Sequence, residues 1–219
     1  MFDFTYALRI LPKMLAYLKT TLLLASVSMI IGLVIAIILS ILLNQNNKVL
    51  NKVIGVYISF FRGTPIIAQL FLVYLGFVQV IPALKSMTNI QAAIIVFSLA
   101  SSAFMTETIR GAIASVDKGQ MEASLSIGMS YGIAMRRIVF PQAIRMAIPS
   151  LSNTFINLVK DSSVAFTIGV TEMIAAAQME ATSSWKYLEA FVDIIIVYWI
   201  LVSILTYLQK ILERRLDTW

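Results

Sequence analysis

Long apolar runs with almost no charge constrain the fold of this chain more than any other feature. Residues 20–43 carry almost no polar side chains, and comparable runs recur further along the sequence. A helix needs about 20 mostly apolar residues to cross a bilayer. Only 13% of the residues are charged, against about 25% in soluble domains, and the mean hydropathy is +0.88. The sequence therefore predicts an all-α membrane protein that crosses the bilayer several times.

The apolar runs predict a single transmembrane domain over residues 1–219, with five spans and no sizeable soluble domain. Residues 1–19 mix aromatic, aliphatic and basic side chains, which indicates an interfacial helix before the first span. Residues 171–188 are expected to form a loop with helical character, and residues 117–141 a hairpin outside the membrane. The predicted spans are residues 20–43, 53–80, 90–113, 143–168 and 189–212.

Two residue types are missing, and the charged residues show a bias. The chain has no Cys and no His, so it lacks disulfides, thiol catalysis and the commonest metal ligands, and we expect no metal site. Its 17 basic residues against 11 acidic ones are dispersed, which argues against nucleic-acid binding. Lys and Arg are more frequent on the side of residues 117–141, although the N-terminal segment is also basic. This bias predicts a plasma-membrane protein with its N-terminus outside and its C-terminus in the cytoplasm.

Residues 122–141, EASLSIGMSYGIAMRRIVFP, interrupt the apolar pattern and predict a helical hairpin. Asp117 can cap the first short helix, and Gly128 suits the left-handed position that ends it. Ser130 can cap a second helix, which Pro141 is expected to stop before the next span begins. Such a hairpin can dock another protein, but an interfacial connector without a partner explains the same pattern.

The same stretch resembles the EAA motif of ATP-binding-cassette (ABC) importer permeases: Glu-Ala-Ala, three residues, Gly, nine residues, then Ile-x-Leu-Pro. Two substitutions are mild, with Ser124 in place of Ala and Phe140 in place of Leu. Four further segments resemble the polar amino-acid uptake subfamily, and more narrowly permeases for cystine and similar amino acids. These segments are FFRGTPIIAQLF (60–71), ETIRGAIASVDKGQMEAS (107–124), FPQAIRMAIPSLSN (140–153) and LVKDSSV (158–164).

The resemblance implies a fold, partners and a set of coupling residues. The fold is the type I ABC importer permease, with five transmembrane helices and a cytoplasmic EAA coupling helix. The partners are a second permease subunit (a second copy or a close relative), two cytoplasmic ABC ATPases, an extracellular amino-acid-binding protein and membrane lipid. ATP and Mg²⁺ would be used by the ATPases, and this chain would bind no cofactor. The residues that match the coupling motif are Glu122, Ala123, Ser124, Gly128 and Pro141.

Polar residues within the predicted fourth span are candidates for the substrate pathway. Asn153, Asn157 and Lys160 recur on one helical face, with Ser150 on the same side and Asp161 at its edge. Such a stripe is too costly to face lipid, so it is expected to line a bundle interior. Lys160 and Asp161 offer one charge of each sign to an α-amino acid. They can equally pair with protein groups and brace the helix.

The FRGTP segment breaks the second predicted span and supplies two more candidates, Arg62 and Thr64. Broken helices are tolerated in membranes where protein or water satisfies the freed backbone groups. Arg62 can bind a carboxylate, or it can neutralise Glu107 or Asp161. Glu107 and Arg110 are three residues apart and can pair, so Glu107 is either a bracing or gating residue or a ligand.

The residues leave three classes of function to compare. An ABC importer permease needs separate ATPases, and this chain contains no GxxxxGK[ST] phosphate loop. A self-contained secondary transporter or channel subunit is the main alternative, but the sequence shows no inverted repeat. A membrane anchor would not need a polar stripe. An enzyme is not expected, because no paired catalytic carboxylates or nucleophile constellation is evident.

Overall fold

The computed structural model describes residues 2–45 and 47–216, and every regular element within these ranges is helical. Two π-helical segments, Leu72–Phe77 and Met135–Val139, and two 3₁₀ segments, Pro82–Leu84 and Ser162–Ile168, connect the α-helices. The α-helices in chain order are α1 Phe4–Leu15, α2 Leu18–Leu43, α3 Lys48–Gly63, α4 Ile66–Phe71, α5 Val78–Val80, α6 Asn89–Ser115, α7 Lys118–Ser126, α8 Tyr131–Ala134, α9 Phe140–Asp161, α10 Met173–Ser184 and α11 Tyr187–Leu216.

Three stretches of the described residues are long and apolar enough to cross a membrane: Phe4–Leu43, Asn89–Ser115 and Tyr187–Arg215. A fourth candidate is the pair Lys48–Gly63 and Ile66–Val80, whose two halves are bent by 108°. The predicted span at residues 143–168 is not among them, because α9 carries the polar stripe. The structure thus supports three or four spans by this measure, and the count of five stays a prediction.

The second predicted span is broken at the FRGTP segment. Thr64 and Pro65 both have extended backbone conformations between α3 and α4. Pro65 has no backbone N–H to continue the helical ladder, and the residue before a proline is biased away from helical angles. The sequence predicted a polar break within one span, and the structure shows that this break turns the chain sharply.

The central helix of the bundle is α6. Its most apolar window is 61% buried, against 28% and 22% for the two other single candidate spans. The helix α2 crosses α6 closely at Gly32, where an added Cβ would lie 2.5 Å from the Ser101 Oγ and 3.0 Å from the Ser98 carbonyl oxygen. The helix α3 is joined to α6 by Tyr57, whose hydroxyl donates to the Leu99 carbonyl oxygen at 2.9 Å.

Hydrogen bonds and ion pairs connect the N-terminal helix α1 to α10 and to the start of α11. The Tyr6 hydroxyl donates to the Glu180 carbonyl oxygen at 3.0 Å. Two ion pairs connect the same elements, Lys13 with Glu180 at 2.6 Å and Lys186 with Asp3. The residues predicted as an interfacial segment therefore do form a helix, and the helix α10 occupies most of the region for which a partly helical loop was predicted.

The prediction that Pro141 stops the second helix of the hairpin is wrong. The helical chain runs from Tyr131 through the π segment Met135–Val139 into α9, and Pro141 lies in the first turn of α9. Pro141 has no N–H to donate to the preceding turn of this continuous helical stretch. The wider π turn just before it accommodates the change of hydrogen-bond pattern.

Replacing Gly32 with leucine should destabilise the protein, because a side chain there would collide with Ser101 and with the backbone of α6. We expect the free energy of unfolding to fall by about 1–3 kcal/mol, as in other overpacked cores. Thermal unfolding of the purified complex measures this change. Gly55→Leu is the matched control, because a Cβ at Gly55 meets no atom within 4 Å. Equal losses in both variants would contradict a tight α2–α6 crossing.

Candidate substrate pathway and coupling hairpin

The polar stripe of α9 is on the surface of the isolated chain. Ser150, Asn153, Asn157 and Lys160 are all exposed, and Asp161 is half-buried. The opposite face of α9 packs into the bundle through buried residues such as Ile156 and Val159. A stripe of amide and charged groups on a helix packed against the bundle has a high cost if it faces hydrocarbon.

The end of α9 lines a cavity of about 560 Å³. The structure brings Asn157, Lys160 and Asp161 together in this cavity. The sequence had predicted Asn153, Asn157 and Lys160 on one helical face, with Asp161 at its edge. Ser150 and Asn153 lie further back along α9 and do not line it. The other lining residues come from α4, α6 and α9, and they are Ile66, Phe97, Ala100, Ser101, Phe104, Thr154 and Leu158.

Arg62, Glu107 and Arg110 form a charged cluster beside this cavity. The Arg110 guanidinium donates to both carboxylate oxygens of Glu107, with Nη2 at 2.6 Å and Nε at 3.2 Å. The Arg62 Nη1 lies 4.0 Å from the same carboxylate. Of the two acids considered for Arg62, the structure places it against Glu107. Glu107 is therefore within ion-pair distance of two cations.

Phe104 connects the charged cluster with the cavity. The guanidinium carbon of Arg62 lies 5.4 Å from the centre of the Phe104 ring, within the range of a cation–π contact. The same ring lines the cavity that contains Lys160 and Asp161. Sequence reasoning missed Phe104, because one phenylalanine in an apolar span carries no signal that distinguishes it from lipid-facing residues.

Gln69 holds the sharp break between α3 and α4, and sequence reasoning missed this residue too. Its side-chain nitrogen donates to the Phe61 and Thr64 carbonyl oxygens, each at 3.2 Å, and to the Thr64 hydroxyl at 2.9 Å. Thr64 in turn donates to the Phe60 carbonyl oxygen at 2.8 Å. Carbonyls left without helical donors by the break are thus satisfied within the protein. A glutamine just after FRGTP in an apolar stretch was the signal that could have identified it.

Most residues of the EAA-like motif lie at the surface of the hairpin. Glu122 and Ala123 are exposed, whereas Ser124 is buried and donates to the Gln120 carbonyl oxygen at 2.6 Å. Asp117 caps α7 by accepting from the Gly119 N–H at 2.7 Å. Ser130 precedes α8, but its side chain makes no capping hydrogen bond, so that part of the prediction is wrong.

Gly128 forms the turn of the hairpin. Its φ is +86°, the left-handed conformation that the sequence predicted for this position. The Gly128 N–H donates to the Leu125 carbonyl oxygen at 3.0 Å, and the next N–H in the chain, that of Met129, donates to the Ser124 carbonyl oxygen at 3.1 Å. These bonds close the end of α7. Ile127, beside the turn, leaves 79% of its surface exposed, so the tip of the hairpin is both apolar and unpacked.

Comparisons with known proteins agree with this architecture. The family model of binding-protein-dependent transport system inner membrane components matches residues 32–218. The probable amino-acid ABC transporter permease protein PatM of Vibrio harveyi is 46% identical, over 99% of this chain and 97% of its own. The L-cystine transport system permease protein TcyL of Bacillus subtilis is 39% identical, over 98% and 92%. Relatives named for arginine and glutamine transport are 35% and 33% identical.

A solved structure has the same fold over nearly the whole chain. It is described as an amino acid ABC transporter with histidines, and it matches with a TM-score of 0.92 and 30% identity over 98% of this chain and 99% of its own. The chain therefore belongs to the family of inner membrane components of binding-protein-dependent ABC transport systems. It is a multi-pass membrane protein. In the described residues, no group of three or more Asp and Glu residues is placed to hold a metal ion.

Replacing Gln69 with leucine should loosen the break between α3 and α4, because three backbone and side-chain acceptors lose their donor. We expect the free energy of unfolding to fall by about 1–3 kcal/mol, the usual cost of unsatisfied buried polar groups. Thermal unfolding of the purified complex measures the loss. The control is Gln45→Leu, at an exposed position after α2. An unchanged melting temperature for Gln69→Leu would show that the break does not depend on this side chain.

Proposed function

We propose that this chain is the transmembrane subunit of an ATP-driven importer, that it forms the translocation pathway for a polar amino acid, and that the cargo is L-cystine. The observation that carries this proposal is the cavity at the end of α9, where Lys160 and Asp161 offer opposite charges beside the Asn157 amide. An α-amino acid carries one carboxylate and one ammonium group. The cavity therefore has the chemistry to hold both ends of such a molecule.

The stripe on α9 extends the pathway away from the cavity. Ser150 and Asn153 continue the polar surface along the helix, and their donors and acceptors can replace the hydration shell of a passing cargo. Arg62, Thr64 and Glu107 would form the wall of the pathway beside the cavity, where the Arg62 guanidinium lies against the Phe104 ring. The ion pairs around Glu107 give it and Arg62 a gating or bracing role. Thr64 shapes the break through its bonds with Gln69 and Phe60.

A second permease subunit covers the stripe in this proposal. The exposed polar side chains of α9 cannot remain against lipid, since each unpaired polar group there costs several kcal/mol. A second copy of this chain, or a close relative, would place its own stripe opposite and enclose a shared pathway. Two copies would present two Lys160–Asp161 pairs. L-cystine carries two amino-acid groups, which is the chemical reason to prefer it, together with its place in the names of some relatives.

In this proposal, the hairpin couples ATP hydrolysis by the ATPase to movement of the permease. Glu122, Ala123 and the apolar tip at Ile127 are exposed and would dock on a cytoplasmic ATPase. Gly128 forms the turn of the hairpin, and Pro141 lies where the hairpin continues into α9. Two ATPase subunits would bind ATP and Mg²⁺, because this chain has no phosphate loop. An extracellular binding protein would deliver the amino acid at the opposite end. There the N-terminal helix α1 lies against the α10–α11 turn, in keeping with an external N-terminus and a cytoplasmic C-terminus.

Uptake by the reconstituted complex tests the cargo. Proteoliposomes that contain the permease, its ATPase and the binding protein should accumulate labelled L-cystine only when ATP is inside the compartment that holds the ATPase. A panel of unlabelled amino acids then ranks competitors. If another amino acid enters and cystine neither enters nor stimulates ATP hydrolysis, the cystine assignment fails and the importer assignment stands. Uptake that persists without the ATPase contradicts the importer.

The same assay measures whether Lys160 contacts the cargo. Lys160→Met should raise KM by about tenfold or more, because a charged hydrogen bond to the carboxylate contributes about 1.5–3 kcal/mol. Lys210→Met, at an exposed position near the end of α11, is the matched control. An unchanged KM for Lys160→Met assigns Lys160 to bracing the helix.

Replacing Gly128 with alanine should uncouple ATP hydrolysis from uptake. The left-handed backbone costs a residue with a Cβ about 1–2 kcal/mol, so the hairpin tip should shift from its docked shape. We expect uptake to fall about fivefold while basal ATP hydrolysis and membrane insertion persist. Glu122→Ala should act in the same direction by removing an exposed docking group.

Gly132→Ala is the control within the same hairpin, because Gly132 has no positive φ and a Cβ there meets nothing within 4 Å. Its uptake should stay within about twofold of the parent protein, as for most surface substitutions. A Gly128→Ala variant with normal uptake per ATP hydrolysed would remove the hairpin from the coupling path.

A further inference from the structure

A fully buried carboxylate lies behind the candidate pathway and has no place in the function described so far. Glu172 immediately precedes α10, and its relative exposure is 0%. Its Oε1 accepts from the Ala175 N–H at 2.8 Å, which caps the helix. Its Oε2 accepts from the Tyr198 hydroxyl of α11 at 3.0 Å. Capping uses only one of the two oxygens, and the second one connects the start of α10 with α11.

The groups around Glu172 are polar and uncharged. Thr21 of α2 lies beside both Glu172 and Tyr198, and its hydroxyl oxygen accepts from the Met173 N–H at 3.4 Å. Ser162 also lies beside Tyr198. Within residues 2–45 and 47–216, no Lys or Arg forms an ion pair with Glu172. A buried carboxylate without a cation is costly to keep, and four helical segments meet around this one.

This cluster reaches the end of the helix that lines the cavity. Ser162 is the residue directly after Asp161, it is fully buried, and its hydroxyl donates to the Val159 carbonyl oxygen at 2.8 Å. Lys160 and Asp161 face the cavity from the last turn of α9, so any movement of Ser162 moves them as well. Tyr198 therefore stands between Glu172 on one side and the charged end of α9 on the other.

We propose that Glu172 is a positioning residue for transport: through Tyr198 and Ser162 it fixes the last turn of α9, and thereby the placement of Lys160 and Asp161, against α2 and α11. The carboxyl group acts through these neighbours and does not touch the cargo. The inference rests on the proposed function only for the claim that Lys160 and Asp161 of α9 bind the cargo. The mechanical claim concerns the chain itself and is tested without any cargo.

Burial explains which conservative substitution should preserve the arrangement. Glu172 lies outside the candidate spans, and its burial raises the pKa of the carboxyl group above the ordinary glutamate value, although hydrogen bonds to it act in the opposite direction. The group therefore gains a proton more readily than an exposed glutamate does. Glutamine has the same shape as the protonated acid. Its oxygen can accept from the Ala175 N–H, and its nitrogen can donate to the Tyr198 hydroxyl oxygen, which reverses the direction of that bond but keeps the contact. Glu172→Gln should preserve the position of α9, whereas Glu172→Ala and Tyr198→Phe should allow the last turn of α9 to move.

The absence of cysteine from the chain makes thiol labelling a direct test. Thr154→Cys introduces a nearly isosteric reporter on a half-buried residue of α9 that lines the cavity. The assembled permease–ATPase complex in lipid nanodiscs is treated with a water-soluble maleimide, and labelling of this subunit is followed by mass spectrometry. A second reporter, Lys85→Cys in the exposed loop before α6, serves as the reference.

We expect Tyr198→Phe and Glu172→Ala to speed labelling at position 154 by about threefold or more, the size of effect that substitutions along a coupled network can have. Labelling at position 85 should not change. Glu172→Gln should restore the parent rate at position 154. Tyr207→Phe is the matched control on α11, because Tyr207 is 66% exposed.

An unchanged rate at position 154 in assembled Tyr198→Phe complex overturns the proposal, even if the yield of complex falls, because a merely structural role lowers yield without moving α9. If Glu172→Ala does not assemble, the labelling rate of the Tyr198→Phe complex tests the proposal by itself. In a complex that transports, Tyr198→Phe should also raise KM for whichever amino acid the uptake panel identifies. A complex that carries no amino acid at all refutes the proposed function. The labelling rate at position 154 then still tests whether Glu172 positions α9.

Discussion

Hydrocarbon offers no hydrogen-bond partner, and this constraint explains how several polar groups within the bundle are placed. The break at Pro65 frees backbone carbonyls, and Gln69 lies where it can donate to them. The carboxylate of Glu107 in α6 lies between Arg110 and Arg62. The stripe on α9 is exposed on the surface of the single chain. In the proposed function it faces a cargo and a second subunit.

The apolar part of the bundle provides the rigid frame that supports these polar groups. The crossing at Gly32 brings α2 close enough to α6 that a single added carbon would collide with both a side chain and the backbone. Small residues at such crossings let the backbones approach closely, since helices in lipid gain association energy mainly from packing. A tightly crossed pair gives α3 and α9 a fixed support, which a polar cavity between helices requires.

The two candidate functional regions are connected through one continuous helical stretch. The hairpin continues through a π segment into α9, and α9 ends in the cavity. A displacement at the hairpin therefore acts on the helix that carries Asn157 and Lys160. The proline near the start of α9 does not interrupt this connection, because the wider π turn just before it accommodates the hydrogen bond that the proline cannot donate.

The sequence by itself determined the class of fold, the helical content of the spans and the left-handed glycine at position 128, because apolar length and glycine's freedom are local properties of the chain. It also placed Asn153, Asn157 and Lys160 on one helical face, with Asp161 at its edge. Only the tertiary structure decided that Arg62 meets Glu107, that Phe104 joins them to the cavity, and that Glu172 is buried behind α9. These pairings join residues from different helices, and helical periodicity carries no information about which helices pack together.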